Sequence, residues 1–378
     1  MDFTPRPAQT QILAYTGGKM GISAVPGSGK THTLSALAAQ LIRSGRIADE
    51  QEVLIVTLVN SAVDNFASRI KEFLELPMPF GYRVRTLHGL AHDIVREKPA
   101  AVGLEDRFAI LDEREADFIR KEAAAAWLQA HPGELDDYLI ADIEDSKRDW
   151  VHRQQLPDLV TGIALAFIRS AKDNRLTPEK LRHLLDPSTG SGQAPQPAPL
   201  PLAEMGLAIY TDYQRALAYR GAVDFDDLIR LAIDLLENDA EFLERLRYRW
   251  PYILEDEAQD SSRLQEQILR LLAGPEGNWV RVGDPNQAIF ETFTTASPKH
   301  LLEFIHTEAD THKTLPDSGR CQPSIINLAN RLIQWVNNEH PELSVRDALT
   351  VPYIRPTADD DPQPNPPDDP VGVKLIGK

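Results

Sequence analysis

The chain has 378 residues, 42% hydrophobic and 26% charged, with a formal net charge of −17 and Cys321 as its one cysteine. This length is enough for roughly two or three domains of ordinary globular composition. A single cysteine excludes an intramolecular disulfide and a cysteine-rich zinc site and fits a reducing cytoplasm, and no apolar run is long enough to cross a membrane.

The chain opens Met1-Asp2-Phe3-Thr4-Pro5-Arg6, which lacks the basic-then-apolar pattern of an export signal. Residues 20–25 predict a strand, and Leu34, Leu37, Ala38, Leu41 and Ile42 recur behind it at helical spacing. Between the two lies Ala24-Val25-Pro26-Gly27-Ser28-Gly29-Lys30-Thr31, followed by His32. A strand entering a glycine-rich turn that opens a helix is what a phosphate-binding loop needs. The glycines let backbone N–H groups crowd around a β-phosphate, and the helix N-terminus adds partial positive charge. Lys30 would then reach the β- and γ-phosphates, and the Thr31 hydroxyl would ligate Mg²⁺. Ala24 stands where the usual pattern begins with glycine. The motif implies a nucleoside triphosphate.

Val53–Thr57 reads as a second strand, followed by a helix bearing Ala62, Phe66, Ile70 and Phe73. Tyr82–Thr86 reads as a third, followed by a helix with Leu90, Ala91, Ile94 and Val95. Strands alternating with helices of this length predict an α/β fold, a parallel sheet with helices on both faces. From about residue 105 the chain turns Ala-, Glu-, Lys- and Arg-rich without a good strand, ending in the Pro/Gly/Ser/Gln stretch 187–201. Residues 101–205 are therefore expected to form an inserted all-helical subdomain, interrupting a first domain made of 1–100 and 206–345. Residues 355–370 read as an unpacked Pro- and Asp-rich linker. The start of a further domain is expected after it, within 346–378.

The second half of the nucleotide site follows from Tyr252-Ile253-Leu254, an apolar strand running into Glu255-Asp256-Glu257-Ala258-Gln259-Asp260. Carboxylates at the C-terminal end of a parallel strand face the crevice where ligands bind. Asp256 is expected to hold the Mg²⁺ water shell and Glu257 to polarise the attacking water; an acidic helix cap is the alternative. Gly283-Asp284-Pro285-Asn286-Gln287 repeats the pattern after the next strand, placing Gln287 to sense the γ-phosphate. The acidic overall charge gives no general attraction for nucleic acid, although phosphate contact needs only a local basic groove.

Together these motifs resemble the UvrD/Rep/PcrA type of superfamily 1 DNA helicases over most of 1–340, in the family's order. Pro7-Ala8-Gln9 looks like its adenine-reading motif, with Gln9 as reader. Ala24–Thr31 matches the phosphate loop, where alanine in first position is normal. Thr57-Leu58-Val59-Asn60-Ser61-Ala62 and Thr86-Leu87-His88-Gly89-Leu90-Ala91 resemble its two strand-contacting motifs. Asp224-Phe225-Asp226-Asp227-Leu228 is similar to the segment that re-enters the core after the insertion. Gly283 to Phe290 completes the first motor domain, and Arg320, ahead of Ile325 to Asn330, resembles the arginine that contacts the γ-phosphate. The resemblance implies a RecA-like P-loop NTPase domain, ATP and Mg²⁺ as cofactors, single-stranded DNA as partner, and ATP-driven 3′-to-5′ translocation with unwinding. DNA contacts would come from Thr57, Asn60, Ser61, Thr86, His88, Phe290 and Phe293. His88 also reads as a structural histidine, and the two phenylalanines as core aromatics.

The departures from the family are specific. Leu58 replaces a phenylalanine, Ser61 replaces a lysine, and 291–296 carries an extra residue and no arginine. Stacking is worth roughly 1–3 kcal/mol per base, so the resemblance implies weaker or differently registered DNA contact. Gly319 stands where a tyrosine normally stacks on adenine and His32 where an arginine is common, which leaves adenine preference to Gln9. A second motor domain with its own arginine is expected as a partner, from the same or a separate product. An arginine supplied in trans is worth ~10³–10⁵ in rate, or roughly 4–7 kcal/mol, so slow hydrolysis is expected without it. The alternative reading is a non-translocating ATP-dependent module that binds DNA or protein. A small-molecule kinase or GTPase is disfavoured: kinases lack the Asp256-Glu257-Ala258-Gln259-Asp260 and Gly283-Asp284-Pro285-Asn286-Gln287 pair, and no guanine-reading Asn/Thr-Lys-x-Asp follows the loop.

Overall fold

The computed structural model describes residues 4–75, 80–138, 144–185, 200–287, 297–369 and 373. The chain divides into two compact units, Met1–Leu90 with Leu236–Lys378, and Ala91–Leu235. In chain order the first unit holds α1 (Pro7–Leu13), β1 (Lys19–Ala24), α2 (Lys30–Arg43), β2 (Val53–Thr57), α3 (Asn60–Leu74), β3 (Tyr82–Thr86) and the start of α4 (Leu87–Glu97). The second unit holds the rest of α4, β4 (Ala109–Ile110), α5 (Glu113–Ala130), α6 (Asp145–Trp150), α7 (Leu156–Asp173), α8 (Pro178–Leu185), α9 (Pro201–Tyr219), β5 (Ala222–Val223) and most of α10 (Phe225–Asn238). The chain then returns through α11 (Ala240–Arg249), β6 (Tyr252–Glu255), α12 (Arg263–Ala273), β7 (Asn278–Gly283), α13 (Pro298–Glu303), β8 (Thr311–Leu315), β9 (Asp317–Ser318), α14 (Pro323–Glu339) and β10 (Arg355–Pro356).

The first unit is built on a six-stranded sheet in the order β3-β2-β6-β7-β1-β8, and every neighbouring pair is parallel. Its inner strands are apolar on both faces, as a doubly covered parallel sheet requires. Met20, Ile22, Val53, Ile55, Leu254, Val280 and Val282 share one core with Ile12 of α1, Leu34, Leu37 and Leu41 of α2, and Phe66 and Ile70 of α3. The alternate strand residues face the other way. There Trp279 lies 4.9 Å from the Phe304 ring, and Arg281 pairs with Glu266 of α12 at 2.9 Å. After β1 the chain skips two places to lay down β2, so β1 stands at the point where strand order reverses. That is where a parallel sheet opens a crevice at its C-terminal edge.

The second unit is a helical body. Ala116 and Ile119 of α5, Ile168 of α7, and Tyr210 and Tyr213 of α9 form one buried cluster; Ala124, Trp127, Val160, Ala164 and Ile209 form another. Asp112 and Glu115 cap α5 reciprocally, which fixes where the helix starts. A Cβ at Gly206 would lie 2.6 Å from the Phe167 ring, so glycine is what lets α9 approach α7. The expected 101–205 insertion lies inside this unit, which continues through α9 and most of α10 and carries a parallel β4–β5 pair (Ile110 opposite Val223). A pair of two-residue strands leaves no alternating pattern to read.

Residues 355–368 correct the expectation of an unpacked linker. β10 pairs with β9, Arg6 meets Asp361 at 2.6 Å, and the Asn365 amide donates to Ser318 O (2.6 Å) and Cys321 O (2.8 Å). Proline has no N–H to donate to a ladder, so beyond this two-residue pair side chains anchor the segment, which composition does not reveal. The strand expected from Val371 lies outside the described residues, apart from Val373.

Within the second unit Lys172 is buried against Asp224 (2.5 Å) and Asp227 (3.0 Å), and Tyr213 donates to Asp224 at 2.6 Å. Burial pulls the Lys172 pKa down, but Asp227 and Asp224 outweigh it and hold the ammonium above its ordinary range. Burial likewise raises the Asp224 carboxyl, and Lys172 reverses the shift to below the usual value. Removing the cation strands two buried carboxylates. Lys172→Met is therefore expected to destabilise the protein by about 3–5 kcal/mol, read as a lower calorimetric midpoint; a loss below about 1 kcal/mol would show that water or relaxation compensates.

Candidate active site

β1 delivers the chain into the 24–31 loop. Ala24 and Val25 are buried, and Val25 N donates to Leu315 O at 3.0 Å, which holds the loop's entry to β8. Gly27 has φ +73°, and a Cβ there would lie 2.4 Å from Arg320 Cβ; Gly29 has φ +81°, and its Cβ would lie 2.9 Å from Gln9 Nε2. Both positions need glycine for backbone and for space. Ser28 is buried, and its hydroxyl closes the turn on Val25 O at 2.8 Å. Lys30 begins α2, so the loop meets the positive end of a helix.

Asp256 follows β6 directly. Its backbone N–H donates to Val56 O (2.9 Å), and its Oδ2 accepts from the Thr31 hydroxyl at 2.9 Å. Glu257 takes left-handed φ of +54°, a strained conformation for a residue with a side chain, and its Oε2 lies 3.3 Å from Lys30 Nζ. Gln259 couples the neighbouring strand ends. Its Nε2 donates to Glu257 (2.9 Å) and Asp260 (3.1 Å), while its Oε1 accepts from Asp284 N (3.0 Å). Asp284 accepts in turn from Asn286 N (3.0 Å) and Gln287 Nε2 (2.5 Å).

These groups converge on a cavity of about 990 Å³. Gln9, Pro26, Gly27, Ser28, Gly29, Lys30, Thr31, His32, Glu257, Gln287 and Arg320 line it. Asp256 stands behind Thr31, and Ala24 and Val25 shape the loop from beneath. Burial, then the neighbouring Glu257 charge, pushes the Asp256 pKa up to about 7, and the same two causes push Asp260 up to about 6. Burial also raises Asp284. The Lys30 ammonium lowers all three without offsetting burial. His32 is lowered by burial and by the Arg69 charge.

The remaining expected residues form a separate group on the same sheet edge. Thr57 ends β2 and is buried; Asn60 and Ser61 open α3 and are exposed; Thr86 ends β3 and lies in register with Thr57. The Thr86 hydroxyl accepts from Gly89 N at 3.1 Å, and His88, half-buried, has its pKa lowered by burial. None of these lines the cavity. Phe290 and Phe293 lie outside the described residues. The sequence reading missed Gln259 as a bridge, although it stands in the quoted motif. It also missed Arg6, Arg69, Phe73 and Asp361 as lining residues. Arg69 and Phe73 lie one turn apart on α3, a spacing equally suited to a core face.

The fold and this edge define an α/β parallel-sheet domain of the phosphate-loop class. Residues 6–309 match the family described as UvrD/REP helicase N-terminal domain, and the chain belongs to that family. It is 28% identical over 335 residues to an ATP-dependent DNA helicase PcrA of Leuconostoc citreum, covering 88% of this chain and 39% of the relative. It is 30% identical over 335 residues to an ATP-dependent DNA helicase UvrD2 of Mycobacterium tuberculosis, covering 86% and 42%. A probable DNA helicase II homolog of Rickettsia conorii is 27% identical over 352 residues, covering 90% and 48%. The chain thus spans between 39% and 48% of the length of these relatives.

The Asp256 shift has a sign. Its folded pKa lies above the unfolded value, so the penalty is absent below the unfolded pKa, grows as pH rises toward the folded one and is complete above it. Without nucleotide or metal, Asp256→Asn is expected to raise stability at pH 8 by about 1–3 kcal/mol and to leave it unchanged near pH 3.5. Denaturant midpoints at the two pH values check this; a destabilised variant at pH 8 would contradict it.

Proposed function

We propose that this chain is the first motor domain of an ATP-dependent DNA helicase or translocase of the UvrD/Rep type, binding ATP·Mg²⁺ and single-stranded DNA. The observation that carries the reading is the Thr31–Asp256 hydrogen bond beside the Lys30–Glu257 ion pair, on a cavity that also meets Gln287 and Arg320.

The residues suit magnesium. Thr31 and Asp256 offer hard oxygens, and burial with the adjacent Glu257 charge pushes the Asp256 pKa up to about 7, a cost that a bound cation would relieve. Among the described residues no group of three or more His, Cys, Asp or Glu could hold a metal alone, so phosphate oxygens and water would complete the shell. Bound Mg²⁺ would neutralise charge on the β- and γ-oxygens. Lys30 would exchange Glu257 for phosphate, freeing that carboxylate to take a proton from water. Gln287 and Arg320 would meet the γ-phosphate, and Gln9 the adenine.

Thr57, Asn60, Ser61, Thr86 and His88 support a strand-contacting edge, with Phe290 and Phe293 as proposed additions to it. Domain boundaries follow the same reading: a motor domain interrupted by a helical insertion, then a connection toward a second motor domain. Ile325, Leu328, Leu332 and Trp335 form an exposed apolar stripe along α14, suited to cover by such a domain. Among the described residues no helix is long and apolar enough to cross a membrane, and a cytoplasmic location belongs to this reading. Leu58 and Ser61 at the strand-contacting edge favour the second reading, a non-translocating ATP-dependent module that binds DNA or protein.

The test is ATPase rate with and without single-stranded DNA. Slow turnover is expected from these 378 residues alone. Glu257→Gln should retain ATP binding and lose ~10²–10⁴-fold in the residual rate, while Lys30→Ala should lose nucleotide binding. Unchanged turnover in Glu257→Gln would remove it as base. A fast DNA-stimulated rate from the chain alone would overturn its dependence on a second domain.

A further inference from the structure

One part of the cavity is walled by residues that the phosphate chemistry does not use: Arg6, Gly319 and Asp361-Pro362-Gln363. Arg6 grips Asp361 with Nε–Oδ2 at 2.6 Å and Nη2–Oδ1 at 3.2 Å, and its Nη1 donates to Asp317 O at 3.1 Å. The pair's side chains are only 12% and 7% exposed, which sets it apart from a solvated surface ion pair. The Arg6 backbone N–H donates to Gln9 Oε1 at 2.9 Å, and Gln9 Nε2 donates to Ser28 O at 3.3 Å. A continuous line of hydrogen bonds therefore runs from the phosphate loop through Gln9 and Arg6 to Asp361.

The 361–363 segment is fixed at several points. Asp361 Oδ1 accepts from Gln363 N (2.8 Å), and Asn365 accepts from Thr357 N (2.8 Å) while donating to Ser318 O and Cys321 O. At Gly319 the constraint is space: a Cβ would lie 2.7 Å from Gln363 O and 2.9 Å from Arg6 Nη2. The segment thus occupies the room that a side chain at 319 would need. Gln9 keeps one amide hydrogen and one oxygen lone pair beyond these bonds, enough for one donor–acceptor pair to the edge of a base.

The geometry points to residues 361–363 as a base-facing wall, clamped by Arg6–Asp361, that sets the Gln9 amide and the preference for adenine where no side chain at 319 can stack. Arg6 and Asp361 are positioning residues acting through Gln9 and the wall. The inference rests on the ATP reading of the cavity, and the phosphate end supplies its control.

The experiment is calorimetric titration of the protein with Mg²⁺ complexes of ATP, GTP and inorganic tripolyphosphate, in wild type, Asp361→Asn and Gly319→Ala. Wild type should favour ATP over GTP. Each variant should lose about tenfold in ATP affinity, the scale of one charge-assisted contact, with the ATP-to-GTP ratio falling toward one and tripolyphosphate affinity unchanged. An unchanged ratio in both variants, or a parallel loss of tripolyphosphate affinity, would overturn the wall while leaving the phosphate site standing. A wild type that binds neither ATP nor tripolyphosphate would overturn both readings.

Discussion

A hydroxyl and an ammonium from the start of one helix face two carboxylates from the end of a strand two places away in the sheet. Thr31 and Lys30 come from α2; Asp256 and Glu257 follow β6; β7 lies between β6 and β1. Their meeting depends on the level of three parallel strand ends. Ser23 is in register with Gly283, and Glu255 with Arg281, so a one-residue slip of β6 would move Asp256 away from Thr31 and reverse every buried face. Closure of the cavity by Gln287 and Arg320 follows from the same alignment.

That alignment has its own anchor under the loops. Arg281 of β7 is fully buried, pairs with Glu255 at 2.7 Å and Glu266 at 2.9 Å, and lies against the Trp279 and Phe304 rings. Ser261 donates to Glu255 at 2.8 Å and so ties the turn after Glu257 back to the strand that carries it. Buried ion pairs seldom add net stability, because desolvation opposes the Coulomb gain. Here the group joins β6, β7 and α12 at the height where the carboxylates emerge. The Gln259 bridge to Asp284 N makes the second connection above it.

Much of the first unit is legible from local pattern. β1, β2 and β6 announce themselves as apolar runs, and the phosphate loop is bounded by a strand and a helix. The acidic motif follows its strand without a gap, so Asp256 and Glu257 can be placed on the binding edge before any coordinates. The nature of the contacts is less legible. The sequence cannot show that Glu257 sits at positive φ, that Gln259 bridges two loops, or that Asp256 is desolvated enough to approach neutral pKa. These are consequences of packing between segments far apart in the chain. The 355–368 segment is the clearest case: proline and aspartate composition suggests a free linker, whereas Asn365 and Asp361 each find a specific partner elsewhere. The sequence marks Gly319 as a departure from the family but does not reveal the Gln363 carbonyl that stands beside it.

Under the proposed function, Thr31, Asp256, Lys30 and Glu257, which the strand register already brings together, hold one metal-bound triphosphate. The most direct measurement is anomalous diffraction from crystals grown with Mn²⁺ and a non-hydrolysable ATP analogue. One manganese peak is expected beside the Thr31 hydroxyl, with Asp256 on its water shell and Lys30 moved from Glu257 onto phosphate. A manganese ion or nucleotide bound outside this cavity, with Lys30 still paired to Glu257, would contradict it.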